Sequence, residues 1–207
     1  MTTRHRQQNE YSLGRLGATS LLCLATLSSC TESDPRNIRG AIEAAMADIA
    51  AGEGEQLYLH IDERARHALG GIIVARHKAK QLIEDDYPAS ERASALAALG
   101  DGAIAKNAAT LFAMRCKQKC MKEMERNLGA PIEQKVDGSD VLIRTARGTS
   151  ATLHLGGDTW YGLVWHTDEL MAERDRAARE LEQIAENAAL YRRQRSLENA
   201  RMRSADP

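Results

Sequence analysis

Residues 131–166, PIEQKVDGSDVLIRTARGTSATLHLGGDTWYGLVWH, decide the fold. Within them Ile132 to Val136, Asp140 to Ala146, Thr149 to Leu155 and Thr159 to His166 alternate apolar with polar side chains and are rich in β-branched residues, the pattern of strands. Asp137-Gly138, Arg147-Gly148 and Gly156-Gly157-Asp158 separate them, and each is a hairpin turn on composition. Three tight connections in a row predict an antiparallel meander of about four strands. In the last strand Trp160 and Val164 share one face while Tyr161, Leu163 and Trp165 share the other, so both sides are expected to be covered.

Working outward toward the N-terminus, the period becomes helical. Asp34-Pro35 has the form of an N-cap followed by proline at the first helical position, and Ile38, Ala41, Ile42, Ala45 and Ile49 then recur at helical spacing up to Gly52. Leu57, Leu59 and Ile61 alternate with Tyr58 and His60, a short strand or an extended connector. Asp62 can cap a second helix running to about Asp85, with Ala65, Leu69, Ile72, Ile73, Ala79 and Ile83 on its apolar face. Gly70-Gly71 inside that helix marks a close crossing or a kink. An alanine-rich helix follows from Pro88 to Leu99, and after Gly100-Asp101-Gly102 a longer one ends at Leu128, stopped by Gly129 and Pro131.

On the other side of the strands the helical period returns at Asp168. Leu170, Ala177, Leu181, Ile184, Ala188 and Tyr191 follow heptad-like spacing. They form either the inner face of an amphipathic helix docked on its own domain or the seam of a coiled coil that meets a protein partner. The chain is basic and polar after Arg192 and is expected to fray. The fold class predicted is therefore α+β: N-terminal helices on a four-stranded meander, then a long C-terminal helix. With one Phe and two Trp in 207 residues, the core must be aliphatic and alanine-rich.

The extreme N-terminus carries an address. Arg4, His5, Arg6 and Arg15 precede an apolar run from Ala18 to Leu27, too short to span a bilayer. It closes on Leu27-Ser28-Ser29-Cys30, which resembles the lipobox of bacterial lipoproteins. The resemblance implies a signal peptide at residues 1–29 and a lipidated Cys30 as the mature N-terminus, its acyl chains holding the protein on a membrane. Thr31 after the cysteine, rather than aspartate, implies the periplasmic side of the outer membrane if the host is Gram-negative. The expected organisation is a lipidated cysteine and linker at 30–34, an α+β domain at 35–167, the C-terminal helix at 168–200 and a tail at 201–207. The whole chain has a formal net charge of −1, and loss of Arg4, Arg6 and Arg15 with only Glu10 leaves the rest more acidic. That balance gives no footprint for nucleic acid.

The helix Ile38 to Ile49, the Gly148 turn and the strand block ending in Trp160-Tyr161-Gly162-Leu163-Val164-Trp165 resemble the cone-shaped α+β fold of the nuclear transport factor 2-like superfamily. The resemblance spans residues 35 to 166, with the helices from Pro88 to Leu128 and the C-terminal helix as departures. It implies a pocket for a small apolar ligand or for simple acid–base chemistry.

Candidate chemistry is sparse. Once Cys23 leaves with the signal and Cys30 takes lipid, Cys116 and Cys120 remain, and an exported pair invites a disulfide. They lie in the row Ala108, Phe112, Cys116, Cys120, Met124 of a helix, where β-carbons four residues apart are roughly 5–6 Å apart. A disulfide wants about 3.5–4.5 Å, so a bond needs local distortion. Arg115, Lys117 and Lys119 favour thiolate, which leaves a redox role open beside a structural one. His60, His67, His77, His154 and His166 make no pair at helical metal spacing. His154 shares a strand face with Ser150 and Thr152 and could line the concave side of a sheet. The carboxylates of Asp62-Glu63 and Asp85-Asp86 fit capping roles. No catalytic set, metal site or cofactor is read. The expectation is a lipid-anchored envelope protein acting as a non-enzymatic binding or scaffolding module. A cone-type pocket protein and a thiol-redox lipoprotein using Cys116 and Cys120 are the alternatives.

Overall fold

The Asp137-Gly138, Arg147-Gly148 and Gly156-Gly157 turns all bend as the sequence requires: Gly138, Gly148 and Gly157 have φ of 60°, 77° and 53°, a region open to glycine at little cost. In the computed structural model, which describes residues 34–157 and 160–204, they join β1 (Pro131–Asp137), β2 (Asp140–Thr145), β3 (Ser150–Gly156) and β4 (Trp160–Leu163). The four strands form one antiparallel sheet in chain order. The register sets Val141 opposite Leu153 and Leu153 opposite Leu163, so these side chains share the core face with Ile143.

The helices are α1 (Ile38–Ala51), α2 (Gly54–Leu57), α3 (Glu63–Asp86), α4 (Ala89–Ala98), α5 (Ala108–Arg115), α6 (Gln118–Asn127) and α7 (Thr167–Ser204). The chain is α+β, with helices first, then the sheet, then the long helix. Ala41, Ile42 and Ala45 of α1, Leu69 and Ile72 of α3, and Leu111 and Phe112 of α5 close over the sheet's core face. A second core gathers Ala79, Ile83, Tyr87, Leu99, Ala103 and Ala188, with Leu181, Ile184 and Tyr191 packed against it.

Four local expectations are corrected. The cap of α1 is Asn37, whose side chain accepts from Gly40 N at 2.8 Å, and Asp34-Pro35 belongs to the turn before it. Residues 54–60 are not extended: α2 is followed by a 3₁₀ turn at Tyr58–His60, which buries Leu57 and Ile61, four apart, and leaves Leu59 outside. Only Ile61 retains strand character, bridging in parallel to Leu163. The helix expected to run unbroken to Leu128 is cut at Cys116, where φ −88° and ψ 64° leave the helical region. Strand β4 stops at Leu163, and His166 takes φ 47° to turn the chain into α7.

Helix α7 has 38 residues and, at about 1.5 Å per residue, is roughly 57 Å long. It continues to Ser204, past both the expected fraying point at Arg192 and the expected end near residue 200. It runs parallel to α3. Thr167 meets Asp62, Glu180 pairs with Arg76, and Arg192 and Arg195 reach Asp86, so contacts keep a nearly constant offset in sequence. The seam predicted for a docked helix or a coiled coil is thus the face lying on α3 and α4, with Leu170, Ala177 and Ala188 buried. The described residues form one unit, so α7 belongs to the same body as the sheet.

Candidate functional site

The lipobox Leu27-Ser28-Ser29-Cys30 and the apolar run before it lie outside the described residues. Among those that are described, no helix is long and apolar enough to cross a membrane.

Cys116 and Cys120 are joined by a disulfide, with Cα atoms 5.0 Å apart. The helix break supplies the distortion that the four-residue spacing demands. Cys116 is fully buried against the main core, and Cys120 reaches the edge of a groove beneath α6. That groove, about 610 Å³, is lined by Met124, Thr152, Leu163 and Trp165. Arg115 at its rim is already held by Glu173 through two bonds of 2.8 and 2.7 Å.

His154 sits with Ser150 and Thr152 on the sheet face away from the main core, as its alternation predicts, but it does not stand alone there. Its Nδ1 is 2.6 Å from Asp140 Oδ1, directly across from it in the β2–β3 register. Asp140 also receives Arg64 Nη2 at 3.4 Å, and Arg64 Nε lies 3.3 Å from Asp62 Oδ1. The chain ends at Asp62, which is 0% exposed. Its carboxylate accepts from the amides of Arg64 and Ala65 and from Thr167 Oγ1, meeting the need of a buried charge for several donors. These polar groups bind the sheet to the starts of α3 and α7.

Asp86, His60 and His77 are also tied into the fold. Asp86 is held by Arg192 and Arg195, His60 Nε2 lies 3.1 Å from Asp48 Oδ2, and His77 Nε2 contacts Ala105 O at 2.9 Å. Among the described residues no three His, Cys, Asp or Glu side chains gather as metal ligands would.

The feature that sequence reading did not anticipate is the groove between α3 and α7, about 850 Å³ and open to solvent. Its floor is Gly70, Gly71, Val74, Ala75, Ala178 and Leu181; Tyr58, Arg66, His67 and Arg174 stand toward its α3 N-terminal end. Gly71 has a packing reason: a Cβ there would lie 2.8 Å from Cγ of Arg174, whose stem crosses it. Gly70 has none among the described residues, since a Cβ there would meet nothing of them within 4 Å. A helix-interior glycine costs about 1 kcal/mol relative to alanine, so Gly70 keeps the floor bare at a loss in stability. Arg66 lies with its guanidinium carbon 4.4 Å from the centre of the Trp160 ring, a cation–π contact. Its Nε is buried without a hydrogen-bond partner among the described residues. Burial pushes the Tyr58 phenol above its usual range, with the Arg66 charge acting against that rise. The Gly70-Gly71 pair is the sequence signal of this groove: of the crossing or kink expected there, the close crossing occurs at Gly71, where Arg174 of α7 passes, and Gly70 leaves the gap beside it.

No protein-family model, curated protein or solved structure matches this chain.

Proposed function

We propose that the protein is a lipid-anchored component of a bacterial cell envelope, held by acyl chains on Cys30, and that its α+β domain is a non-enzymatic binding or scaffolding module. The α3–α7 groove carries the reading: an open apolar floor kept free of a side chain at Gly70, beside cationic groups, is what a binding surface needs and a folded core does not. The polar groups a catalyst would use are engaged elsewhere, in the Asp62 cap, the Asp140–His154 pair and the Cys116–Cys120 bond. A protein partner on α7 has the outward side to use, where Leu190, Leu197 and Met202 are exposed.

A second reading, the cone-type pocket protein, draws support from the groove beneath α6, where Met124 and Trp165 face Thr152.

Two measurements test the proposal. Mass spectrometry of the mature N-terminus should find an acylated Cys30, and Cys30→Ser should release the protein from membranes; an uncleaved chain overturns the anchor. A photoreactive amino acid at Val74 in the anchored protein should give an adduct in cells. Absence of any adduct at Val74, with adducts instead from Met124, favours the pocket beneath α6.

A further inference from the structure

The α3–α7 groove has two unlike ends. At one, Arg66 and Arg174 present guanidinium groups and His67 an imidazole; at the other, Val74, Ala75, Ala178 and Leu181 are apolar, with the bare backbone of Gly70 between. We propose that this groove binds a single-chain anionic amphiphile, specifically a long-chain carboxylate, its head at Arg66 and Arg174 and its alkyl chain along Gly70, Val74 and Leu181. The inference deepens the binding reading of the domain, on which it rests, and is independent of the anchor.

Three observations carry it. Gly70 places the poorest helix former after proline inside a 24-residue helix, and among the described residues none fills the space that results. Val74, one turn further along and lining the groove with Ala178 of α7, is 54% exposed. At the cationic end Arg174 is paired with Asp175, but Arg66 is not neutralised from within. Among the described residues no carboxylate pairs with Arg66, whose charge is held by the Trp160 ring and whose Nε lacks an acceptor.

Two carboxylates also line the groove, Glu63 at the end of Arg66 and His67, and Glu182 at the other. Glu63 turns its carboxyl against Gly156 of β3, where a Cβ would lie 3.0 Å from it, and Glu182 stands on α7 at the apolar end. Asp175, the partner of Arg174, is mostly exposed, so that ion pair is one that water screens and a ligand can share. A carboxylate suits the pair of guanidinium groups by geometry as well as by charge, because it accepts two parallel N–H bonds. An alkyl chain in turn removes from water the floor that the protein leaves exposed.

The test is calorimetric titration of the full chain carrying Cys30→Ser, which leaves no acyl group of its own to compete. The probes are dodecanoate, dodecanol and dodecyltrimethylammonium. Dodecanoate should bind saturably, one per chain, and more tightly than either of the others. Arg66→Gln should weaken dodecanoate by about tenfold, the loss of one charge-assisted interaction, and leave dodecanol unchanged. Gly70→Leu, placed where the structure has room, should keep the fold by circular dichroism and weaken both. Equal binding of the cationic and anionic probes, an absence of saturable binding, or full affinity in both variants overturns the inference. Should dodecanoate fail while Val74 still gives an adduct in cells, the ligand class is wrong and the binding reading stands. Should dodecanoate bind while Cys30 is found unacylated, only the anchor is wrong.

Discussion

Thr167 Oγ1 donates to Asp62 Oδ2 at 2.5 Å, joining the first residue of α7 to the cap of α3 across 105 positions of sequence. The other oxygen of the same carboxylate takes the amides of Arg64 and Ala65. One buried group therefore caps α3 and ties the first residue of α7 to that cap. Asp62→Ala removes the cap and strands the Thr167 hydroxyl, and should lower stability by about 3 kcal/mol. Thr167→Val should lower it by about 1 kcal/mol. Urea unfolding measures both, and equal stability of Asp62→Ala and wild type would falsify the shared-cap account.

Neighbouring glycines should respond in opposite directions. Gly70→Ala enters open space and should raise stability by roughly 0.5–1 kcal/mol. Gly71→Ala meets the stem of Arg174 and should gain nothing or lose stability. Thermal unfolding of the two single variants is sufficient, and a gain at both positions shows that Arg174 yields freely.

For the Cys116–Cys120 bond the expectation is structural. Closing a loop this short restricts the unfolded chain by about 2 kcal/mol, so reduction or a double alanine variant should lower the urea midpoint accordingly. Binding at the α3–α7 groove should persist. Loss of that binding on reduction, without loss of stability, would favour a thiol-redox role instead.

Truncation separates the docked part of α7 from its projecting end. A chain ending at Thr167 loses Leu170, Ala177 and Ala188 from the two cores and should fail to reach the native fold. A chain ending at Ser196 keeps Arg192 and Arg195 on Asp86 and should match wild type within about 0.5 kcal/mol. If the shorter chain folds as stably as the longer, α7 is not part of the core.

Tyr58 supplies a pH signature. Its phenol is raised above 10.0 by burial, so folding favours the neutral form. That contribution is complete below pH 10 and is lost as pH rises through the folded-state value. Arg66→Gln removes the cation that restrains the shift and should move Tyr58 higher still. Tyr191, raised chiefly by its hydrogen bond to Glu91, is first replaced by phenylalanine, and the ultraviolet titration of Tyr58 is then read as the difference from the same chain carrying Tyr58→Phe.

The sheet was legible because its determinants are local: alternation within each segment, and glycines at 138, 148 and 157 whose positive φ each turn needs. The inner seam of α7 was legible for the same reason. What it packs against was not, since periodicity names a buried face and not its partner. The break at Cys116 carries no glycine or proline; it reflects the bond to Cys120, which sequence could permit but not impose. The stretch 57–61 misled because Leu57 and Ile61 fit strand alternation and helical spacing equally well. At the groove, Arg66 and Arg174 are unremarkable surface residues in sequence and acquire meaning only through the bare backbone of Gly70 and the Trp160 ring.

Because α3 and α7 are parallel, no hairpin can bring them together; the intervening chain must pass through the whole meander first. The face of α3 that α7 covers leaves the ribosome about a hundred residues before its cover, an interval of roughly 5–20 s at ordinary elongation rates. During that wait Ile83 and its neighbours in the second core lack Ala188. A chain that holds α3 without α7 thus carries an open second core, wherever it emerges, and the order of emergence makes that species the one most exposed to misassembly.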